Sequence, residues 1–219
     1  MSMLLSGGGA TRGTGAAIRA PVSFLIWHAN VTVSLRLRRL RAVQELAQGL
    51  WWWTAPHPDW TPDQGGANGW QQEVSSYAFD CGDTFVLVDP QSPPSLLDEL
   101  AAGREVAVAL TCEWHRRSTD EVVERLGANA HDLPPCVEVK ASIADDRVLF
   151  LPQYGAVVFG DTLLGEPDEL RIPDAWLGEG ETHEARAEAL RPLLELRVEH
   201  ALPTHGRPGT GADLERALA

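Results

Sequence analysis

Within six residues, Cys112-Glu113-Trp114-His115-Arg116-Arg117, the chain gathers a thiol, a carboxylate, an imidazole and two guanidinium groups. The segment follows the apolar run 105–110 and precedes a helix-like stretch opening at Ser118-Thr119-Asp120-Glu121. It is therefore a strand-to-helix loop, the place where α/β proteins usually carry their chemistry. A Cys112 thiolate would be a soft metal ligand; the same residue also reads as a small apolar filler at a strand end. His115 suits a metal ligand or an exposed loop histidine. Arg116 and Arg117, at the approach to a helix, suit a carboxylate or phosphate, or ion pairs with the chain's own acids. His57 and Trp114 are further candidates for lining a binding cleft.

The elements that must position this loop are legible from hydrophobic periodicity and turn residues. Gly49–Thr54 reads as an aromatic strand, followed by the Pro- and Gly-rich loop 55–70, which excludes regular structure. Two β-like runs, 73–79 and 84–88, flank Asp80-Cys81-Gly82-Asp83, a turn sequence suited to a hairpin. A helix over 95–102 closes at Gly103, and a β-branched strand over 106–110 leads into the loop. The next helix carries acids in its first turn, where the helix dipole favours them. Strands are expected over 137–142, 147–151, 156–159 and 198–202, with helices over 184–195 and 212–219. A meander followed by alternating strands and helices, twice over, predicts two α/β halves packed sheet against sheet.

Composition narrows the function classes. The chain has 219 residues and a formal charge of −13, which argues against a general nucleic-acid binder, because phosphate affinity comes from Lys and Arg. A small-molecule ligand fits better. Residues 1–41 hold six arginines and no acid, so residues 1–42 are expected to be a disordered extension or an upstream mis-start, with the domain spanning 43–219. The apolar run at 22–35 falls short of the roughly 20 residues that a membrane span needs, so no membrane partner is expected. Cys81, Cys112 and Cys136 form an odd set without a C-x-x-C pair, which predicts a reducing, cytoplasmic setting without disulfides. There is no phosphate-binding P-loop and no G-x-S-x-G nucleophile elbow.

Three strand ends together resemble the metallo-β-lactamase fold superfamily. Val88-Asp89-Pro90 is similar to the end of that family's early hairpin. The segment from Phe150 to Leu163, ending Phe159-Gly160-Asp161-Thr162-Leu163, resembles the one whose aspartate bridges two metals. Leu202-Pro203-Thr204-His205-Gly206 is similar to the late histidine loop. The resemblance covers about residues 45–219 and implies a four-layer αβ/βα sandwich. It also implies that the family's H-x-H-x-D-H ligand motif should fall on the opening loop.

Aligned on Thr111, Cys112, Trp114, Arg116 and Arg117 occupy the four ligand positions. A shift by one residue brings His115 to the second histidine. No counterpart of the family's middle histidine stands between Val137 and Leu151. Asp161 and His205 alone do not complete a hydrolytic zinc site, which needs about three protein ligands per metal. The resemblance thus implies a degenerate centre, with either no metal or a single zinc or iron ion. The protein would be a non-catalytic or weakly active small-molecule-binding homologue. The alternative is a hydrolase of an ester, thioester or lactone-like bond, with a mononuclear site built from Asp161, His205, and His115 or Cys112.

Overall fold

The computed structural model describes residues 43–66 and 69–219; the expected extension at 1–42 lies outside them. Strands β1 (Val43–Ala47), β2 (Leu50–Pro56), β3 (Glu73–Cys81), β4 (Thr84–Val88) and β5 (Glu105–Ala109) form one sheet in sequence order. Helices α1 (Leu96–Ala101) and α2 (Thr119–Leu126) flank β5 in sequence. The second sheet has the order β12-β11-β8-β7-β6, from β6 (Glu138–Ile143), β7 (Asp146–Leu151), β8 (Ala156–Phe159), β11 (His200–Pro203) and β12 (Gly209–Thr210). A two-stranded ribbon, β9 (Leu164–Gly165) with β10 (Leu170–Arg171), and helices α3 (His183–Leu190) and α4 (Gly211–Ala217) complete the chain.

Alternation along the strands builds the layers. Val86 and Val88 of β4 pack with Leu149, Ala156, Val158 and Leu202 in a core between the two sheets. Their neighbours Phe85 and Leu87 turn the other way, onto Leu97 and Val122 of α1 and α2. In the second sheet Val157 and Phe159 pack outward against Leu190 and Leu214 of α3 and α4. The result is the four-layer αβ/βα arrangement. The helix expected over 184–195 is divided: α3 ends at Leu190 and a 3-10 turn, Arg191–Glu195, follows. Pro192 lacks the N–H that a continuing helix would use.

One expectation is corrected. Cys81, at the end of β3, and Cys136, just before β6, are joined in a disulfide across 55 residues, leaving Cys112 as the free, buried cysteine. Pairing needs spatial neighbours, with Cα atoms 6.3 Å apart here, and sequence spacing does not report that. The premise for a reducing setting is thereby removed. No helix among the described residues is long and apolar enough to cross a membrane. Because the bridge closes a loop of 55 residues between the two halves, a Cys81→Ser/Cys136→Ser variant is expected to lose about 2–4 kcal/mol of stability. Chemical denaturation checks this; an unchanged midpoint would mean that the bridge constrains nothing.

Candidate metal centre

Parallel pairing delivers the site residues to one end of both sheets. β4 and β5 run parallel, with Val88 opposite Ala109, so Asp89 and Thr111 leave the first sheet together. In the second sheet β8 and β11 run parallel, with Phe159 opposite Pro203, so Asp161 and His205 emerge side by side. Ser75 N–H donates to the Thr204 carbonyl at 2.9 Å, and Tyr77 OH to the Pro203 carbonyl at 2.6 Å. These bonds stitch the histidine loop to β3 of the opposite sheet.

After β5 the chain makes a 3-10 turn, Glu113–Arg116, which buries His115 to 3% exposure. His115 Nδ1 donates to Asp89 Oδ2 at 2.9 Å. Asp89 is wholly buried and also takes the Thr111 N–H on Oδ1 at 2.9 Å and the Thr111 hydroxyl on Oδ2. This carboxylate fixes the tautomer that leaves Nε2 free, the arrangement common behind metal-ligating histidines. His115 Nε2 then stands 3.3 Å from Asp161 Oδ1 and 3.3 Å from His205 Nε2, and His205 Nε2 is 3.3 Å from Asp161 Oδ1. Three donors from three loops thus form an equilateral triangle. Donors held 2.0–2.1 Å from one tetrahedral ion stand ~3.3–3.4 Å apart, so the triangle fits a single zinc-sized cation.

The surroundings favour a cation at that point. Two imidazole nitrogens and a carboxylate oxygen facing one another repel unless a proton or a metal lies between them. Burial opposes protonation of His115, but the Asp89 and Asp161 carboxylates prevail and raise its pKa well above the ordinary value. His205, boxed by apolar neighbours, is lowered to about 4, chiefly by burial. Burial works against an ionised Asp161 as well, yet hydrogen bonds with His115 and His205 hold its carboxyl far below the usual range. Trp114 Nε1–H donates to Asp161 Oδ2 at 2.8 Å, which leaves Oδ1 as the oxygen in the triangle.

The other residues singled out from the sequence are distributed differently. Cys112 is buried, its Sγ within 4.8 Å of the His115 and Asp161 donor atoms, and burial pushes its thiol pKa up. Arg116 is exposed and pairs with Asp120 at 2.5 Å. Arg117 is turned inward, donating to the carbonyls of Ser75 at 3.0 Å, Asp89 at 3.1 Å and Thr204 at 3.5 Å. Neither arginine pairs with Asp161. His57 lies half-buried, edge-on to Trp70 with ring centroids 5.3 Å apart.

Sequence reasoning did not single out Asp89 as a site residue, although an aspartate after an apolar strand was its signal. Trp176, 5.0 Å from the His205 ring, sits at the end of a short 3-10 turn, Asp174–Trp176, with no signal at all. Asp146, at the start of β7, is the third omission. It is 3% exposed, accepts the Thr162 N–H at 2.9 Å on Oδ2, and its Oδ1 has no partner. Gly160 is obligatory beside it, since a Cβ there would collide with Asp146 Oδ1 and stand 2.7 Å from Thr111 Oγ1.

Burial raises the Asp146 pKa to about 7. Its folded value lies above the unfolded one, so the stability that its protonated form contributes is complete below pH 4 and is lost as pH rises to 7. Asp146→Asn is therefore expected to match the wild type near pH 4 and to exceed it at pH 8 by about 4 kcal/mol at most. Urea unfolding at the two pH values reads the difference.

No protein-family model matches the sequence, and no curated protein matches it. Solved structures do resemble it in fold. A metallo-β-lactamase from Hirschia baltica superposes with a TM-score of 0.54 at 14% identity, covering 80% of this chain and 95% of that one. One from Erythrobacter litoralis gives 0.52 at 15% identity, covering 80% and 89%. A further structure from Erythrobacter litoralis, described as in the mono-zinc form, gives 0.50 at 14% identity, covering 80% and 94%. Together with the four layers and the strand-end loops, these matches establish that the chain has the metallo-β-lactamase fold.

Proposed function

We propose that the protein holds one zinc or iron ion on His115, Asp161 and His205 and hydrolyses an ester, thioester or lactone-like bond. The observation that carries this reading is the 3.3 Å triangle of three donors, in which no arginine takes the cation's place. The family's usual dinuclear set is absent in this reading, because with His115 at the second histidine of the resembled motif Glu113 and Arg117 occupy the neighbouring ligand positions. When bound, the metal would polarise a carbonyl and lower the pKa of water at an open position. Asp89 orients His115, Trp114 restricts Asp161 to one oxygen, and the Trp70 and Trp176 rings keep water from His205. Metal entry must displace the proton that Asp89 and Asp161 hold on His115, so affinity rises with pH.

A second reading, a metal-binding module without turnover, is favoured by the deep burial of both histidines, 3% and 5% exposed. Assaying 4-nitrophenyl acetate with metal-free, zinc-loaded and zinc-loaded Asp161→Ala protein separates the two. Zinc-dependent release of 4-nitrophenolate that the variant lacks is the expected outcome. Stoichiometric zinc without turnover would leave only the binding module.

A further inference from the structure

The side chains around the centre restrict which substrates it can take; this inference rests on the single-metal reading above. His205 is flanked by two indoles, Trp70 at 4.8 Å and nearly perpendicular, and Trp176 at 5.0 Å, themselves 6.3 Å apart. His57 extends this wall from behind Trp70. On the Asp161 side the Trp114 indole is 53% exposed although its N–H is anchored. A large apolar ring left in solvent at the edge of a buried polar cluster is where an apolar group of a ligand gains most from burial.

Most of the cations on the elements that carry the donors are engaged elsewhere. Arg117 directs its two terminal NH2 groups to three backbone carbonyls. Arg116 faces Asp120, and Arg147 donates to the Leu110 carbonyl. Arg171 is held by Glu166 at 3.0 Å and by the Gly69 carbonyl at 2.8 Å. Arg207 lines a separate hollow with Asp168, Glu169 and Asp213. The only lysine, Lys140, pairs with Glu138 on β6. Recognition of a carboxylate or phosphate depends on such donors, above all on a free guanidinium fork.

We propose that the centre selects uncharged substrates with an aromatic or bulky apolar group beside the scissile carbonyl and rejects those with a carboxylate there. In the reaction the acyl C–O bond breaks, one water is consumed, and an acid and an alcohol or phenol are released. The test uses zinc-loaded protein with two activated esters, neutral 4-nitrophenyl phenylacetate and carboxylate-bearing 4-nitrophenyl hydrogen glutarate, each normalised to its hydroxide-catalysed rate. The neutral ester is expected to show kcat/KM higher by on the order of tenfold to a hundredfold. Trp176→Ala should shrink that ratio; since a ratio is read, a general loss of activity cancels. A glutarate ester cleaved as fast as the neutral one overturns the selectivity and leaves the hydrolase reading standing, and a ratio untouched in Trp176→Ala overturns the aromatic wall. Zinc-dependent turnover of neither ester overturns the hydrolase reading and this inference with it.

Discussion

Replacing Asp161 with alanine is expected to weaken zinc binding by about 10²–10³-fold, taking a four-ligand site's ~10–16 kcal/mol as ~3–4 kcal/mol per ligand. Asp161 is the one charged donor in the triangle, and it alone touches both His115 and His205 at 3.3 Å. Its removal leaves two imidazoles that nothing draws to a common point. His115→Ala should cost as much, for a second reason: the buried Asp89 carboxylate loses the Nδ1–H that it accepts at 2.9 Å and keeps only the Thr111 donors. Competition with a chromophoric chelator measures both affinities. Variants that bind within about threefold of the wild type would remove these residues from the ligand set.

The largest effect on stability is expected at Arg117. Its guanidinium is buried and ties Ser75 on β3, Asp89 beyond β4 and Thr204 beyond β11, so a single side chain joins the segments that bring Asp89 and His205 to the site. Arg117→Ala removes charge-assisted donors from all three carbonyls, leaving Asp89 with the Ser76 hydroxyl and Thr204 with the Ser75 N–H, at a cost of about 3–5 kcal/mol in total. Arg117→Lys should recover little of this, because one ammonium cannot span three acceptors arranged for a planar fork. Denaturant midpoints of the two variants check the claim. A loss below about 1 kcal/mol for alanine would show that the carbonyls find water or other donors. Burial lowers the Arg117 pKa, the signature of a cation kept for what it holds together.

How much of this was legible depends on whether a feature is local. Strand alternation, the hairpin turn at 80–83 and the strand-end placement of Asp161 and His205 all follow from short-range patterning, and the four layers follow from them. His115 was visible only as a residue one place out of register. The reason is the 3-10 turn over Glu113–Arg116, which sets the side chain by three residues per turn where an extended loop would alternate. Arg117 read as an anion binder because charge in a loop implies exposure; its backbone, at φ 41°, points it inward instead. The Cys81–Cys136 bridge and the approach of Trp176 to His205 are long-range facts, and no spacing in the chain encodes them.

The central claim is that His115, Asp161 and His205 together hold one metal ion. Native mass spectrometry of the protein titrated with zinc tests it directly. One zinc per chain, absent from His115→Ala and from Asp161→Ala, is the predicted result. Two zinc ions per chain, or none at any concentration while the protein stays folded, would contradict it.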